Sequence, residues 1–156
     1  MTGVVLSIAY WVASSLVIGL ACAHIPVRIL RLLGRSAWWL RGPSPHWYRK
    51  AIYIGLWKDR VPEAGRFGGG VSKRHLKSRD RGVLERLYLE TIRAELVHTG
   101  LLMVQCFPIV WLKGGLLVLP IGYAVVANLP FIAIQRYNRA RLSRLVGIED
   151  RRILDE

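Results

Sequence analysis

Two ionisable side chains one helical turn apart, Glu95 and His98, are the residues of this chain best suited to proton chemistry. Imidazole titrates close to neutral pH, so a histidine can take a proton and return it within one cycle. A carboxylate three residues earlier on a helix lies on the same face, where it can orient the ring or stabilise the imidazolium. Tyr88, Thr91, Glu95 and His98 follow at spacings of three, four and three, which stacks them along one stripe of the helix that VLERLYLETIRAELVH predicts. Arg86, Glu90, Arg93 and Val97 form a nearly opposite stripe, with Arg86–Glu90 and Glu90–Arg93 at pairing distance. Further along, Asn128, Gln135 and Arg139 share a face if Pro130 only kinks their helix. The Glu95–His98 spacing also serves carboxylate–histidine metal ligands in bundles. A metal would need another convergent ligand, for which Glu63 or His75 would stand; the reading adopted has no metal. No serine lies in a G-x-S-x-G setting, and Cys22 and Cys106 both fall in apolar runs as small packing residues.

These side chains need elements to hold them, and the segregation of apolar and charged residues says which. The chain has 156 residues, 53% of them hydrophobic, with 23 Lys+Arg, 10 Asp+Glu and a formal charge of +13. Its mean hydropathy is +0.30. A disordered basic tail would be poor in apolar residues, and a soluble nucleic-acid binder would not carry such long apolar runs. Residues 3–25 contain no acidic or basic residue except His24. As a helix they reach roughly 34 Å, enough to cross a hydrocarbon core. With no Lys or Arg ahead of them they lack the n-region of a secretory signal, so they read as a first span despite the small-x-small Ala21-Cys22-Ala23. A second apolar run over 96–112 is short, and its helix is expected to start in the amphipathic stretch at Val83, giving a helix over 83–112. A third span covers 114–135, separated from the second by a tight hairpin at Lys113-Gly114-Gly115. Residues 26–95 hold sixteen Lys/Arg and the tail 136–156 holds six, leaving only Lys113 elsewhere. The positive-inside rule then places the N-terminus outside and the tail in the cytoplasm. The expected fold is an all-α integral membrane protein, one membrane domain over 1–156. It has about three transmembrane helices plus interfacial or re-entrant amphipathic helices.

Residues 34–66 form an interfacial aromatic and basic segment. Trp38, Trp39, Trp47, Tyr48, Tyr53 and Trp57 alternate with Arg35, Arg41, Arg49, Lys50, Lys58 and Arg60, a composition that favours the headgroup layer. Breaks are expected at Gly42-Pro43-Ser44-Pro45 and Val61-Pro62. A basic glycine-rich loop over 66–82 could attract anionic lipid or a phosphate-bearing ligand.

Three blocks read together: YIGLWKDRVPEAGRF (53–67), LYLETIRAELVHTG (87–100) and NLPFIAIQRYNRARL (128–142). In this order and spacing the chain resembles the glycosyl-4,4'-diaponeurosporenoate acyltransferase family, small bacterial membrane enzymes that esterify a fatty acyl chain onto a sugar hydroxyl of a glycosylated carotenoid. The resemblance covers roughly residues 46–142. Thr99, where an aromatic is expected after the histidine, and the glycine-rich loop depart from the family pattern. Carried over by position, the resemblance points to Trp57, Lys58, Pro62 and Glu63, then Glu90, Arg93, Glu95 and His98, then Asn128, Pro130, Gln135, Arg136, Tyr137, Asn138 and Arg139. It implies a membrane O-acyltransferase acting on a glycolipid or glycosylated carotenoid or isoprenoid, multi-pass in a bacterial cell membrane, with its site facing the cytoplasm. Acyl transfer needs a base, an oxyanion donor and exclusion of water. His98 is the natural base, Glu95 its orienting partner and Asn128 the oxyanion donor, provided helices two and three pack side by side. Trp57, Lys58, Glu63, Glu90, Arg93, Gln135, Arg136, Tyr137, Asn138 and Arg139 are expected to bind substrate. No cofactor is required beyond a co-substrate acyl donor such as acyl-CoA. The partners are membrane lipids, that donor and the glycosylated acceptor, with no nucleic acid, and the pattern is compatible with an oligomer. Two other readings stay open: a small membrane lipid methyltransferase, and a non-catalytic lipid-binding or assembly subunit in which Glu95, His98 and Asn128 are buried structural contacts.

Overall fold

A computed structural model of the chain describes residues 2–61 and 81–146. Pro62, Glu63, His75, most of the loop over 66–82 and the tail beyond 146 lie outside the described residues. The described residues form helices and turns, without a strand.

Helix α1 (Thr2–Ala23) is uncharged and presents most of its apolar side chains outward, Val5, Leu16, Val17 and Leu20 among them. It stops ahead of Pro26, whose ring and missing N–H oppose continuation. Helix α2 (Val27–Ser36) is amphipathic. Its Leu30, together with Ala37 at the helix end and Leu40 of the 3₁₀ turn Trp38–Leu40, packs on Leu84, Leu87, Tyr88 and Ile92 as the main core. The Pro43-Ser44-Pro45 break falls where the sequence puts it. Ser44 Oγ accepts from the Trp47 N–H at 3.3 Å and Pro45 opens α3 (Pro45–Ala51), a favoured start for a helix. Tyr53, with φ of 49°, turns the chain into α4 (Ile54–Trp57), so that Tyr48, Ile54 and Tyr137 form a second small core.

Helices α5 (Arg81–Val104) and α6 (Val118–Val146) are the frame, an antiparallel pair joined through 3₁₀ turns at Phe107–Val110 and Gly114–Leu117. The expected helix over 83–112 is corrected: α5 ends at Val104. Pro108 cannot donate to the preceding turn. The carbonyls freed there are taken by α1, with Tyr10 Oη donating to Val104 O at 3.1 Å and Trp11 Nε1 to Gln105 O at 3.0 Å. Helix α6 runs uninterrupted through Pro130 and continues past the expected end at 135. Gly114, with φ of 61°, makes the tight turn after Lys113.

Helix α1 docks on α5, where Gly100 lets Ile18 approach: a Cβ at Gly100 would stand 3.3 Å from Ile18 Cγ2. At the other end Arg93 Nη1 donates to the carbonyls of Cys22, Ala23 and Ile25 at 2.7, 2.8 and 3.1 Å. A cation among the last carbonyls of a helix offsets its negative pole. Among the described residues, two helical stretches are long and apolar enough to cross a membrane, Thr2–Ala23 and Gly114–Leu145.

Candidate active site

The antiparallel pairing of α5 and α6 brings His98 and Asn128 together, as the sequence expects. His98 Nδ1 lies 3.1 Å from Asn128 Oδ1, and its ring stacks on Phe131 with centroids 4.5 Å apart and planes 8° from parallel. The Asn128 amide is fixed from its other side, since Nδ2 donates to the Ala124 carbonyl and to Gln105 Oε1, both at 2.8 Å. Both amide hydrogens are thereby used, so Oδ1 faces the ring and can only accept. It follows that His98 carries a proton on Nδ1 and donates it to Asn128 Oδ1. The same geometry corrects the role expected of Asn128: its donors are engaged, and it holds the histidine instead of offering an oxyanion contact.

Glu95 is corrected too. Although one turn from His98 on the same stripe, it is fully buried (0% exposed) and turned to α6, where Arg136 Nε donates to Oε1 at 2.7 Å and Arg139 Nη2 donates to Oε2. Two guanidiniums, each with a fixed planar fork, outcompete a single imidazole for a buried carboxylate. Arg139 Nη2 also donates to Leu40 O at 2.5 Å, which pins the turn after α2 to α6, while its buried Nη1 has no hydrogen-bond partner among the described residues. Arg136 remains one-third exposed (34%) beside Glu95. Tyr48 lies beside this cluster: burial pushes its phenol above the usual tyrosine range, with Arg136 pulling the other way. A Cβ at Gly42 would stand 2.6 Å from the Tyr48 hydroxyl and 3.4 Å from Arg136 Cβ, so the break before α3 lies directly over both side chains.

The remaining expected contacts divide. Glu90 and Arg93 pair with each other at 3.2 Å, and Arg93 is occupied by the end of α1, so both serve the helix packing. Trp57 Nε1 donates to Ile52 O at 2.9 Å, and the ring packs with Tyr137 in the second core. Tyr137 itself is buried, edge-on to Tyr48 at 6.1 Å, with the Arg141 guanidinium over its ring. Lys58 pairs with the adjacent Asp59 at 2.5 Å, away from His98 in sequence and in its contacts. Gln135 and Asn138 are half-buried on α6. Glu63 lies outside the described residues. What the sequence reading misses is Gln105, a fully buried amide about two turns beyond His98, and Phe131, one turn beyond Asn128. Both spacings put these residues on the right faces.

A sequence model of the glycosyl-4,4'-diaponeurosporenoate acyltransferase family matches residues 30–148. The chain belongs to this family. Proteins of that name from Staphylococcus aureus strains N315 and USA300 are each 36% identical to it over 109 residues, 67% of this chain and 64% of theirs. The chain thus spans just under two thirds of the length of these curated relatives. No solved structure matches it. The acyltransferase-family match takes in His98, Asn128, Gln105, Glu95 and both arginines, whereas α1 precedes it. It also takes in His75 and Asp80, whose H-x-x-x-x-D spacing, an acyltransferase-like pattern expected to be absent from this chain, is present in the sequence outside the described residues.

Proposed function

We propose that the chain is an integral membrane O-acyltransferase that moves a fatty acyl group onto a sugar hydroxyl of a glycosylated carotenoid or related glycosylated isoprenoid, with His98 as general base. The observation that carries this reading is the His98–Asn128 hydrogen bond between α5 and α6, which leaves Nε2 as the proton acceptor. The names of the relatives supply the reaction class and the acceptor. In the reaction the acceptor hydroxyl gives its proton to Nε2 as its oxygen bonds to the acyl carbonyl carbon. The bond from that carbon to the leaving group then breaks, and the proton returns from Nε2 to the departing group. The half-buried ring, stacked on Phe131, has limited access to the water that would otherwise compete for the acyl carbon.

The donor is an activated acyl group such as acyl-CoA. Its phosphates would meet the one-third-exposed Arg136 on the cytoplasmic side, where the charge distribution places the basic segments. Helix α5 completes a three-span topology, its charged first half in the cytoplasmic headgroup layer and its apolar second half in the hydrocarbon core. Glu95 anchors the arginines and does not touch the reacting atoms.

The test is lipid extraction of cells with and without the gene, compared by mass spectrometry. A species heavier by one acyl group is expected only where the gene is present. His98→Ala is expected to lose that product while the purified protein remains folded, and His75→Ala is expected to keep it. Full product formation by His98→Ala ends this reading, and loss in His75→Ala alone moves the base to the H-x-x-x-x-D stretch.

A further inference from the structure

The polar chain that begins at His98 does not end at Asn128. Gln105 is 2% exposed, accepts from Asn128 Nδ2 through Oε1 at 2.8 Å, and donates from Nε2 to Ser15 Oγ of α1 at 3.1 Å. Ser15 in turn donates to Trp11 O at 2.7 Å, and Trp11 Nε1 donates back to Gln105 O at 3.0 Å. Both branches end on helix carbonyls, Trp11 O and Ala124 O, which can only accept. Every hydrogen in the series therefore points one way, from His98 to Asn128 to Gln105 to Ser15 to Trp11. Helix α1, which precedes the matched family segment, supplies the last two members.

We propose that Gln105, held by Ser15 and Trp11 of α1, is a positioning residue that fixes the His98 imidazole as its Nδ1–H tautomer through Asn128, so that the first helix completes the catalytic site. This rests on His98 being the base. A buried amide in an apolar stretch with both ends hydrogen-bonded is costly to place and informative when present. An apolar residue at 105 would leave one Asn128 hydrogen without its Gln105 acceptor and the Ser15 oxygen without its donor. The Asn128 amide would then be braced only by its own helix, and the ring would lose its fixed orientation. The side chain needed at 105 has an acceptor toward Asn128 and a donor toward Ser15. Glutamine provides both, and so does the neutral carboxyl of glutamate, but methionine of similar length provides neither.

Two measurements test this independently. Ring-¹⁵N NMR of histidine-labelled full-length protein in detergent, with His98 assigned by difference from His98→Ala, reads the tautomer without any substrate. The Nδ1–H form is expected, and an Nε2–H form in the wild type overturns the proposal whatever the reaction proves to be. Kinetics with palmitoyl-CoA and the acceptor found by lipid extraction read the consequence. Gln105→Met is expected to lower kcat about tenfold at unchanged KM, the usual scale for losing a second-layer partner. Gln105→Glu should recover most of that loss, and Ser15→Ala should fall between. Wild-type kcat in Gln105→Met, or equal loss in Gln105→Met and Gln105→Glu, overturns the positioning role. Failure of His98→Ala to lose activity would instead strike the base itself.

Discussion

Removing the Glu95 carboxylate would strand two guanidiniums in a buried site, one of them almost without solvent contact. Breaking a buried pair from one side typically costs about 3–5 kcal/mol. Glu95→Gln is therefore expected to lower the thermal midpoint of the detergent-solubilised protein by roughly 10 °C. His98→Ala, which removes one hydrogen bond and one ring contact, should shift it far less. Differential scanning fluorimetry separates the two. A Glu95→Gln protein that melts like the wild type yet makes no product would return the carboxylate to the chemistry. At this scale the sequence revealed that Glu95, His98 and Asn128 were polar groups in apolar surroundings, and spacing put His98 and Asn128 within reach. It could not reveal that Glu95 faces α6 arginines, because helical periodicity fixes a face and leaves the partner to be chosen among all groups that tertiary packing brings there. The buried amide of Gln105 is a different omission: its seven-residue interval from His98 was legible, but its meaning depends on Ser15, ninety residues away in sequence.

Between elements, the close approach of α1 and α5 depends on Gly100. A leucine there would drive into Ile18, and overpacking of this kind costs about 1–3 kcal/mol. Gly100→Leu should therefore lower stability and, by moving Ser15 away from Gln105, reduce turnover beyond the stability loss. Gly122→Ala in α6 meets nothing within 4 Å and should be neutral or slightly stabilising, since alanine is the better helix former. Thermal melts of both variants, with activity at a temperature where each is folded, check the pair. The three long helices were legible because apolar runs of this length have few alternatives. Helix α2 was not, since its Leu30 and Leu33 alternate with Arg28, Arg31 and Arg35 in a short stretch between the first span and the segment 34–66, to which no element was assigned. The end of α5 was also misplaced by eight residues' worth of apolar chain beyond Val104, because hydropathy continues through Pro108 where the hydrogen-bonding pattern cannot.

For the whole molecule the decisive quantity is orientation in the bilayer. Helix α6 has 29 residues and reaches about 43 Å, more than a hydrocarbon core of roughly 30 Å, so in the proposed orientation its Arg136–Arg144 turns would project beyond the apolar layer at one end. Lys113, in the hairpin at the other end, is exposed and is the only Lys or Arg outside the segments 26–95 and 136–156. With Cys22→Ser and Cys106→Ser removing both native thiols, Lys113→Cys offers a single thiol at the hairpin. A membrane-impermeant maleimide is expected to label it in intact cells, as the charge distribution requires of an external hairpin. Labelling only after the membrane is permeabilised would invert α5 and α6, and the Arg136 face would then open away from a cytosolic acyl-CoA pool. The same reversal would leave the His98–Asn128 pair intact but require a lipid-borne or external acyl donor, so this one measurement separates the chemistry of the site from the side on which it is supplied.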